Sequence, residues 1–376
     1  MELELINQLL SLEEAGEDAA LVTVCQTSGS TPRNPGAKML VLKDGRVYGT
    51  IGGGCGEAKA KKQALSVLDI KASKKYQLDM TNDVAAGEGM ICGGKMEVFI
   101  DFLSFRDSES RQVLLAYLAS LKRKEPPLLV TITAIDEGKK QLLGRKMAFL
   151  PIPNEAGDLG SKEITEQARI IAGQIQGVRE PRLLTLTAGA LPNGIKHLEL
   201  LFEPGILAPQ MLILGGGHIA LPLVKMASIL GYNITVVDDR PSFANSTRFP
   251  EVGRIICANF ANFLKELETD RNTFIVIITR GHQHDLDCLR EVINKPAAYI
   301  GMIGSKRKTG AILTQLKAEG IPAELLEEVY SPIGLNIGAE TPEEIALSIL
   351  AEIVNIWRCE NQQNRRIYSG RKNQKQ

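Results

Sequence analysis

The sequence predicts an α/β chain: a C-terminal parallel sheet layered by helices, preceded by an N-terminal α+β domain. Three observations carry this reading. Met211-Leu-Ile-Leu214 is a short apolar run that stops at Gly215-Gly-Gly217, and a helical pattern follows at once. Ile234-Thr-Val-Val237 is a second apolar run, closed by Asp238 about 20 residues beyond the glycines. From residue 210 onward strand-like and helix-like runs alternate, whereas earlier segments mix hairpins with isolated helices. Gly215, Gly217 and Ala220 fit G-x-G-x-x-G/A, so the C-terminal half reads as Rossmann-like and nucleotide-binding.

Each element follows from its own pattern. Leu5, Ile6, Leu9, Leu10 and Leu12 recur at helical spacing, which predicts a helix over 3–15. Ala20–Cys25 and Lys38–Leu42 read as strands, and Arg46–Ile51 as a further strand joined by a turn at Asp44-Gly45. Ala58–Leu68 is a helical stretch; Tyr76–Met80 and Met96–Leu103 are strands. Residues 110–123 and 162–176 read as helices. Strands 128–134, 183–187 and 197–202 complete the first domain, 1–203. Glu203-Pro-Gly-Ile-Leu-Ala-Pro209 interrupts the pattern and reads as a linker.

In the second domain, 210–358, strands are expected at 211–214, 233–238, 254–257, 273–279, 297–302 and 328–330. A long helix follows at Pro342–Trp357, with Thr341 and Glu344 forming a capping box. The basic tail 359–376 reads as flexible and solvated.

Composition narrows the function classes. Lys plus Arg equals Asp plus Glu at 44 each, so no global field points to nucleic acid. No apolar run reaches the ~20 residues needed to span a bilayer, and the acidic first residues do not resemble a signal peptide. The six cysteines form no Cys-x-x-Cys pair; reduced thiols and a cytoplasmic location are expected.

Four loops carry the candidate chemistry. Gly29-Ser-Thr-Pro-Arg33 offers Ser30 and Arg33, an arginine able to grip phosphate or carboxylate. Gly52-Gly-Gly-Cys-Gly-Glu57 lets backbone approach a ligand at Gly53 and Gly54, with Cys55 and Glu57 at a helix start where the dipole favours thiolate. Gly87-Glu-Gly-Met-Ile-Cys92-Gly-Gly94 repeats the cysteine-and-glycine theme. Cys55 and Cys92 together suit a soft transition metal or a sulfur-bearing ligand better than zinc.

The fourth region is the strand-end edge of the second domain. Gly215 and Gly217 would meet an anion, and His218 in the next turn would contact a ligand or the other domain. Asp238 closes the next strand, where a bound dinucleotide would place its ribose. Arg280 and His282 follow the strand at 273–279, and Gly304, Ser305 and Arg307 form a second anion cradle. His282, His284, Asp285 and Cys288 invite a metal reading, but their spacing fits no dimetal pattern, and a polar contact for His282 is the better reading.

These loops resemble the xanthine dehydrogenase accessory factor family, the XdhC/CoxI proteins. The N-terminal resemblance rests on Gly29–Arg33, Gly52–Glu57 and Cys92–Gly94. The C-terminal one rests on Leu214–His218, Val237–Arg240, Arg248–Pro250, Thr279–His282 with Asp285, Gly301–Ser305 and Pro332–Leu335. The resemblance implies a maturation factor that binds molybdenum cofactor and hands it to a xanthine dehydrogenase-like apo-enzyme, with a cysteine desulfurase as a further partner. It implies a chaperone rather than a catalyst. Two lobes closing around the cofactor would shield it, with Cys55 or Cys92 touching the metal or its sulfur. The alternative is an oxidoreductase using NAD(P) or FAD, with Asp238 accepting ribose hydroxyls; against it stands the lack of an acid–base set. A pure scaffold is a third reading. A homodimer is expected on base rates alone.

Overall fold

The parallel sheet expected in the C-terminal half is present, and the N-terminal half is built on antiparallel sheets. The computed structural model describes residues 3–80, 94–105, 108–123, 125–151, 154–175, 180–187, 195–205 and 207–359. Two compact units divide the chain, Met1–Leu207 and Ala208–Gln376.

In the first unit, α1 (Leu3–Ala15) leads into β1 (Ala19–Ser28), β2 (Lys38–Leu42), β3 (Val47–Gly49), α2 (Gly54–Ile70), β4 (Lys74–Asp79) and β5 (Lys95–Leu103). These strands make an antiparallel five-stranded sheet in the order β3-β2-β1-β5-β4. Alternation along β1 decides its two faces. Ala20, Val22 and Val24 pack against Ala60, Ala64 and Val67 of α2. Thr23 lies on the other face, where its hydroxyl meets the Lys38 ammonium at 3.0 Å.

After α3 (Ser108–Lys122), a second antiparallel sheet takes the order β8-β7-β6-β10-β9. Its strands are β6 (Leu128–Ile135), β7 (Lys146–Phe149), β8 (Glu155–Gly157), β9 (Arg182–Thr187) and β10 (His197–Pro204), with α4 (Lys162–Gln174) on one face. Strands β7 and β8 were not expected from the sequence. They are short, and β7 opens on a lysine, so neither shows an alternating pattern. Lys146 is nevertheless buried, because it pairs with buried Asp101 of β5 at 2.6 Å. Two further pairs join the sheets, Lys38 with Glu203 and Lys75 with Glu199. Cys25, Phe99 and Leu201 supply apolar contact between them. Strand β10 runs on through Glu203 and Pro204, two residues of the expected linker; a proline at a strand end removes no inner ladder bond.

The second unit is a parallel five-stranded sheet in the order β13-β12-β11-β14-β15. Its strands are β11 (Gln210–Leu214), β12 (Asn233–Asp238), β13 (Arg254–Cys257), β14 (Thr273–Ile277) and β15 (Tyr299–Met302). Helices cover both faces: α5 (Ala220–Ile229) and α10 (Pro342–Cys359) on one, α6 (Phe260–Glu266), α7 (His282–Val292), α8 (Lys306–Ala318) and α9 (Ala323–Glu327) on the other. The chain winds outward through β12 and β13, then returns to pair β14 on the opposite side of β11. The switch point where such folds bind ligands therefore lies between β11 and β14.

The expected strand at 328–330 reduces to a single parallel bridge between Gly301 and Tyr330, since one residue of pairing is all that the loop before Pro332 allows. The capping box of α10 forms: the Glu344 amide donates to Thr341 Oγ1 at 3.3 Å, and the Thr341 amide to Glu344 Oε2 at 3.0 Å. Among the described residues no helix is long and apolar enough to cross a membrane.

Candidate functional site

The glycine turn after β11 is built from three different constraints. Gly215 has φ +114°, and a Cβ there would sit 2.4 Å from the Ile278 carbonyl oxygen, so only glycine fits between the β11 and β14 ends. A Cβ on Gly216 would sit 2.4 Å from the Phe243 carbonyl oxygen. Gly217 meets nothing within 4 Å on that side, which leaves its backbone open to approach. His218 follows, exposed, and α5 begins at Ala220 with no side chain capping its first amides. Uncapped amides at a helix start suit an anion.

Asp238, at the end of β12, clamps this turn. Its side chain is buried and accepts from the Gly216 amide at 2.8 Å, the Arg240 amide at 3.0 Å, and the Arg240 guanidinium at 2.8 and 2.9 Å. Burial alone would raise the carboxyl pKa, but the hydrogen bonds from Arg240 and Gly216 outweigh it and hold the group below the usual carboxylate range. Arg240 lies over the Phe243 ring at 3.6 Å. From the other side Arg248 donates to the Gly216 and Gly217 carbonyls at 2.9 and 3.1 Å. Both oxygens of Asp238 thus serve the protein.

The adjacent acid was not singled out in the sequence. Asp239 Oδ2 accepts from Arg280 at 2.8 Å, while its Oδ1 is buried without a hydrogen-bond partner among the described residues. The doubled acid at the strand end was the signal. Arg280 is half-exposed and links the ends of β14 and β12.

On the far side of the switch point, Asp285 is fully buried. Thr279 Oγ1 donates to its Oδ1 at 2.5 Å and Lys308 Nζ to its Oδ2 at 2.6 Å. Burial pushes this carboxyl up, against the opposing pull of Lys308 and Thr279. His282 is exposed at the first position of α7, His284 packs its ring on Phe260, and Cys288 lies in the apolar core. Side chains so dispersed do not chelate, and the described residues hold no group of three or more metal-ligating side chains. Ser305 caps α8 by accepting from the Lys308 amide at 3.3 Å. Gly304 precedes it at φ +153° and Arg307 is exposed.

In the first unit, Gly52, Gly53 and Gly54 all have positive φ, at 128°, 73° and 63°. Glu57 closes over this turn: its Oε2 accepts from Thr50 Oγ1 at 2.5 Å and from the Ile51 and Gly53 amides at 3.0 and 3.1 Å. Burial acts to raise the Glu57 pKa, but these hydrogen bonds win and lower it. Cys55 is half-buried in the first turn of α2.

The structure brings the separate loops of this unit together. A Cβ on Gly52 would lie 2.3 Å from Pro32, and one on Gly94 would lie 2.3 Å from the Ser30 carbonyl oxygen. Ser30 and Arg33 are exposed on the neighbouring loop. Cys92 falls outside the described residues.

Comparison with known proteins finds similarity in both units. The family model described as the XdhC Rossmann domain matches residues 211–353, and that of the XdhC and CoxI family matches residues 12–79. A Bacillus subtilis (strain 168) protein, named as a probable xanthine dehydrogenase subunit, is 27% identical over 346 residues, covering 92% of this chain and 94% of that one. The molybdenum cofactor insertion chaperone PaoD of Escherichia coli (strain K12) is 22% identical over 349 residues, covering 91% of this chain and 84% of its own. Uncharacterized protein YqeB of the same organism is 24% identical over 355 residues, but the chain spans only 46% of its length.

Among solved structures, a protein called a xanthine dehydrogenase from Bacillus halodurans is similar with TM-score 0.75 and 26% identity, over 97% of this chain and 98% of that one. With both domain models matched in order and these relatives aligned over nearly the whole chain, the protein belongs to the XdhC and CoxI family and carries that family's Rossmann domain as its second unit.

Proposed function

We propose that the chain is an accessory factor that binds molybdenum cofactor and delivers it to a xanthine dehydrogenase-type apo-enzyme. The names of two relatives support the role: one is a molybdenum cofactor insertion chaperone, the other a probable xanthine dehydrogenase subunit. The observation that carries the binding half is the turn at Gly215–Gly217. It is braced from below by Asp238 and from behind by Arg248, yet open at Gly217. That combination suits a phosphate: the donors are fixed before the ligand arrives, so little ordering cost is left at binding. Molybdenum cofactor ends in such a phosphate, and when bound it supplies the redox-active metal that the recipient enzyme needs.

Gly215, Gly217 and His218, with Arg280, His282 and the Gly304–Arg307 turn as flanking donors, are the residues proposed for the anionic end. In the first unit Cys55 and Cys92 are proposed to contact the metal or its sulfur, with Ser30, Arg33, Gly53, Gly54 and Glu57 shaping the loops around them. Each donor set is tested by itself. Protein purified from molybdate-supplied cells should carry pterin and molybdenum, read by mass spectrometry and elemental analysis. Gly217→Val should lose the pterin, and serine at Cys55 or Cys92 should lower the molybdenum retained. Undiminished retention in all three variants would remove the proposal. In the oxidoreductase reading, Asp238 would bind ribose; its engagement by Arg240 and Gly216 weighs against that alternative.

A further inference from the structure

Helix α10 carries an apolar face that its own unit leaves uncovered. Ala346, Ile349 and Ile353 are buried in the core beside α5. On the adjoining side Leu347 is 52% exposed and Val354 36% exposed; on α5, Ile229 is 84% exposed and Leu230 51%. With Met226 and Ala351 these side chains border an open groove of ≈ 330 Å³, floored by Leu350. Single exposed hydrophobics need no explanation, but a contiguous set on two neighbouring helices marks an interaction surface.

The order of residues along α10 names the partner. At 3.6 residues per turn, Glu343, Leu347, Leu350, Ala351, Val354 and Arg358 fall in one stripe about 100° wide. Its ends are oppositely charged, with exposed Glu343 in the first turn and exposed Arg358 in the last. About a point midway between Leu350 and Ala351, Leu347 and Val354 are equidistant, and so are Glu343 and Arg358. Apolar residues thus mirror apolar residues, and acid mirrors base.

We propose that this face is a twofold interface with a second copy of the chain, in which α10 packs antiparallel on its counterpart. Leu347 lies against the partner's Val354, and Glu343 against the partner's Arg358, at both ends of the contact. Self-complementarity of this kind is what an isologous interface requires. A parallel arrangement would set like charges together at each end. The α5 side chains Ile229 and Leu230 flank the seam.

The test is sedimentation equilibrium of the full chain over a concentration series. The wild type should dimerise. Glu343→Arg sets positive against positive at both ends, and Arg358→Glu sets negative against negative; each alone should weaken self-association by roughly tenfold. Mixing the two variants restores opposite charges at both ends, so heterodimers should form with wild-type affinity. A misfolded variant would not be rescued by mixing, which separates loss of contact from loss of fold. Leu347→Asp should weaken dimerisation by about 100-fold or more, because a carboxylate would be desolvated at the seam. A wild type that stays monomeric at the highest attainable concentration overturns the proposal. So does a dimer indifferent to Leu347→Asp and to both charge reversals.

Discussion

Arg240 grips both carboxylate oxygens of Asp238, at 2.8 and 2.9 Å, while the same carboxylate accepts from the Gly216 amide. The acid is therefore a brace for the glycine turn. Replacing Asp238 with Asn keeps the shape but removes the charge that pairs Arg240, and should cost about 2–3 kcal/mol of unit stability. Chemical denaturation at neutral pH measures this.

Asp238 and Asp285 should respond to acid in opposite senses. Asp238 is held below its ordinary value, so its contribution is present above the unfolded-state pKa and is lost as pH falls through the lower folded value. Asp285 is pushed above its ordinary value by burial, so the folded form binds the proton more readily and stability drops as pH rises through that upper window. Denaturation midpoints collected across acidic pH should therefore lose one slope in Asp238→Asn and the opposite slope in Asp285→Asn. Identical pH profiles for both variants would contradict the geometry.

Gly215 and Gly217 look alike in the motif but should separate on substitution. Alanine at Gly215 combines a positive φ with a carbonyl oxygen 2.4 Å from its Cβ, and should destabilise by roughly 2–4 kcal/mol or misfold the turn. Alanine at Gly217 meets open space and should leave the melting temperature within a degree or two of wild type, on the order of 0.5 kcal/mol. Only the Gly217 variant should keep its fold while losing retained pterin.

Glu57 holds the Gly52–Gly54 turn through Thr50 and the Ile51 and Gly53 amides. Glu57→Ala should cost about 1–3 kcal/mol, because those donors lose a charged acceptor. Hydrogen exchange at Ile51 and Gly53 should accelerate in the variant, while exchange along β1 stays slow. Uniform acceleration across the unit would point to global unfolding instead.

Thiol reactivity offers a further check. Burial pushes the Cys25 thiol up to about 12, with the Glu203 charge adding to the shift. Burial likewise raises the Cys288 thiol, helped by Asp285 and Asp287. Iodoacetamide at mildly alkaline pH should label exposed Cys257 in the native protein and reach Cys25 and Cys288 only after unfolding. Rapid native labelling of Cys288 would mean that the core around it is open.

Much of the second unit was legible in the sequence because its determinants are local. A glycine that must turn at Gly215, an apolar run closed by Asp238 and a capping box at Thr341 and Glu344 each act within a few residues, so the order of residues reveals them. The first unit was legible only in part. Nothing beside Lys146 in the sequence marks it for burial; its burial follows from Asp101 on another sheet.

The sequence alone determined where backbone must bend and which runs must be covered, since φ preference and apolar periodicity are properties of short segments. Tertiary structure decided what each polar group does. Only folding brought Arg248 to the carbonyls of Gly216 and Gly217, placed Lys308 on Asp285, and drew Gly52 against Pro32. The physical reason is that a buried polar group takes its role from whichever partner the packed chain delivers to it, and in these three contacts that partner is distant in sequence.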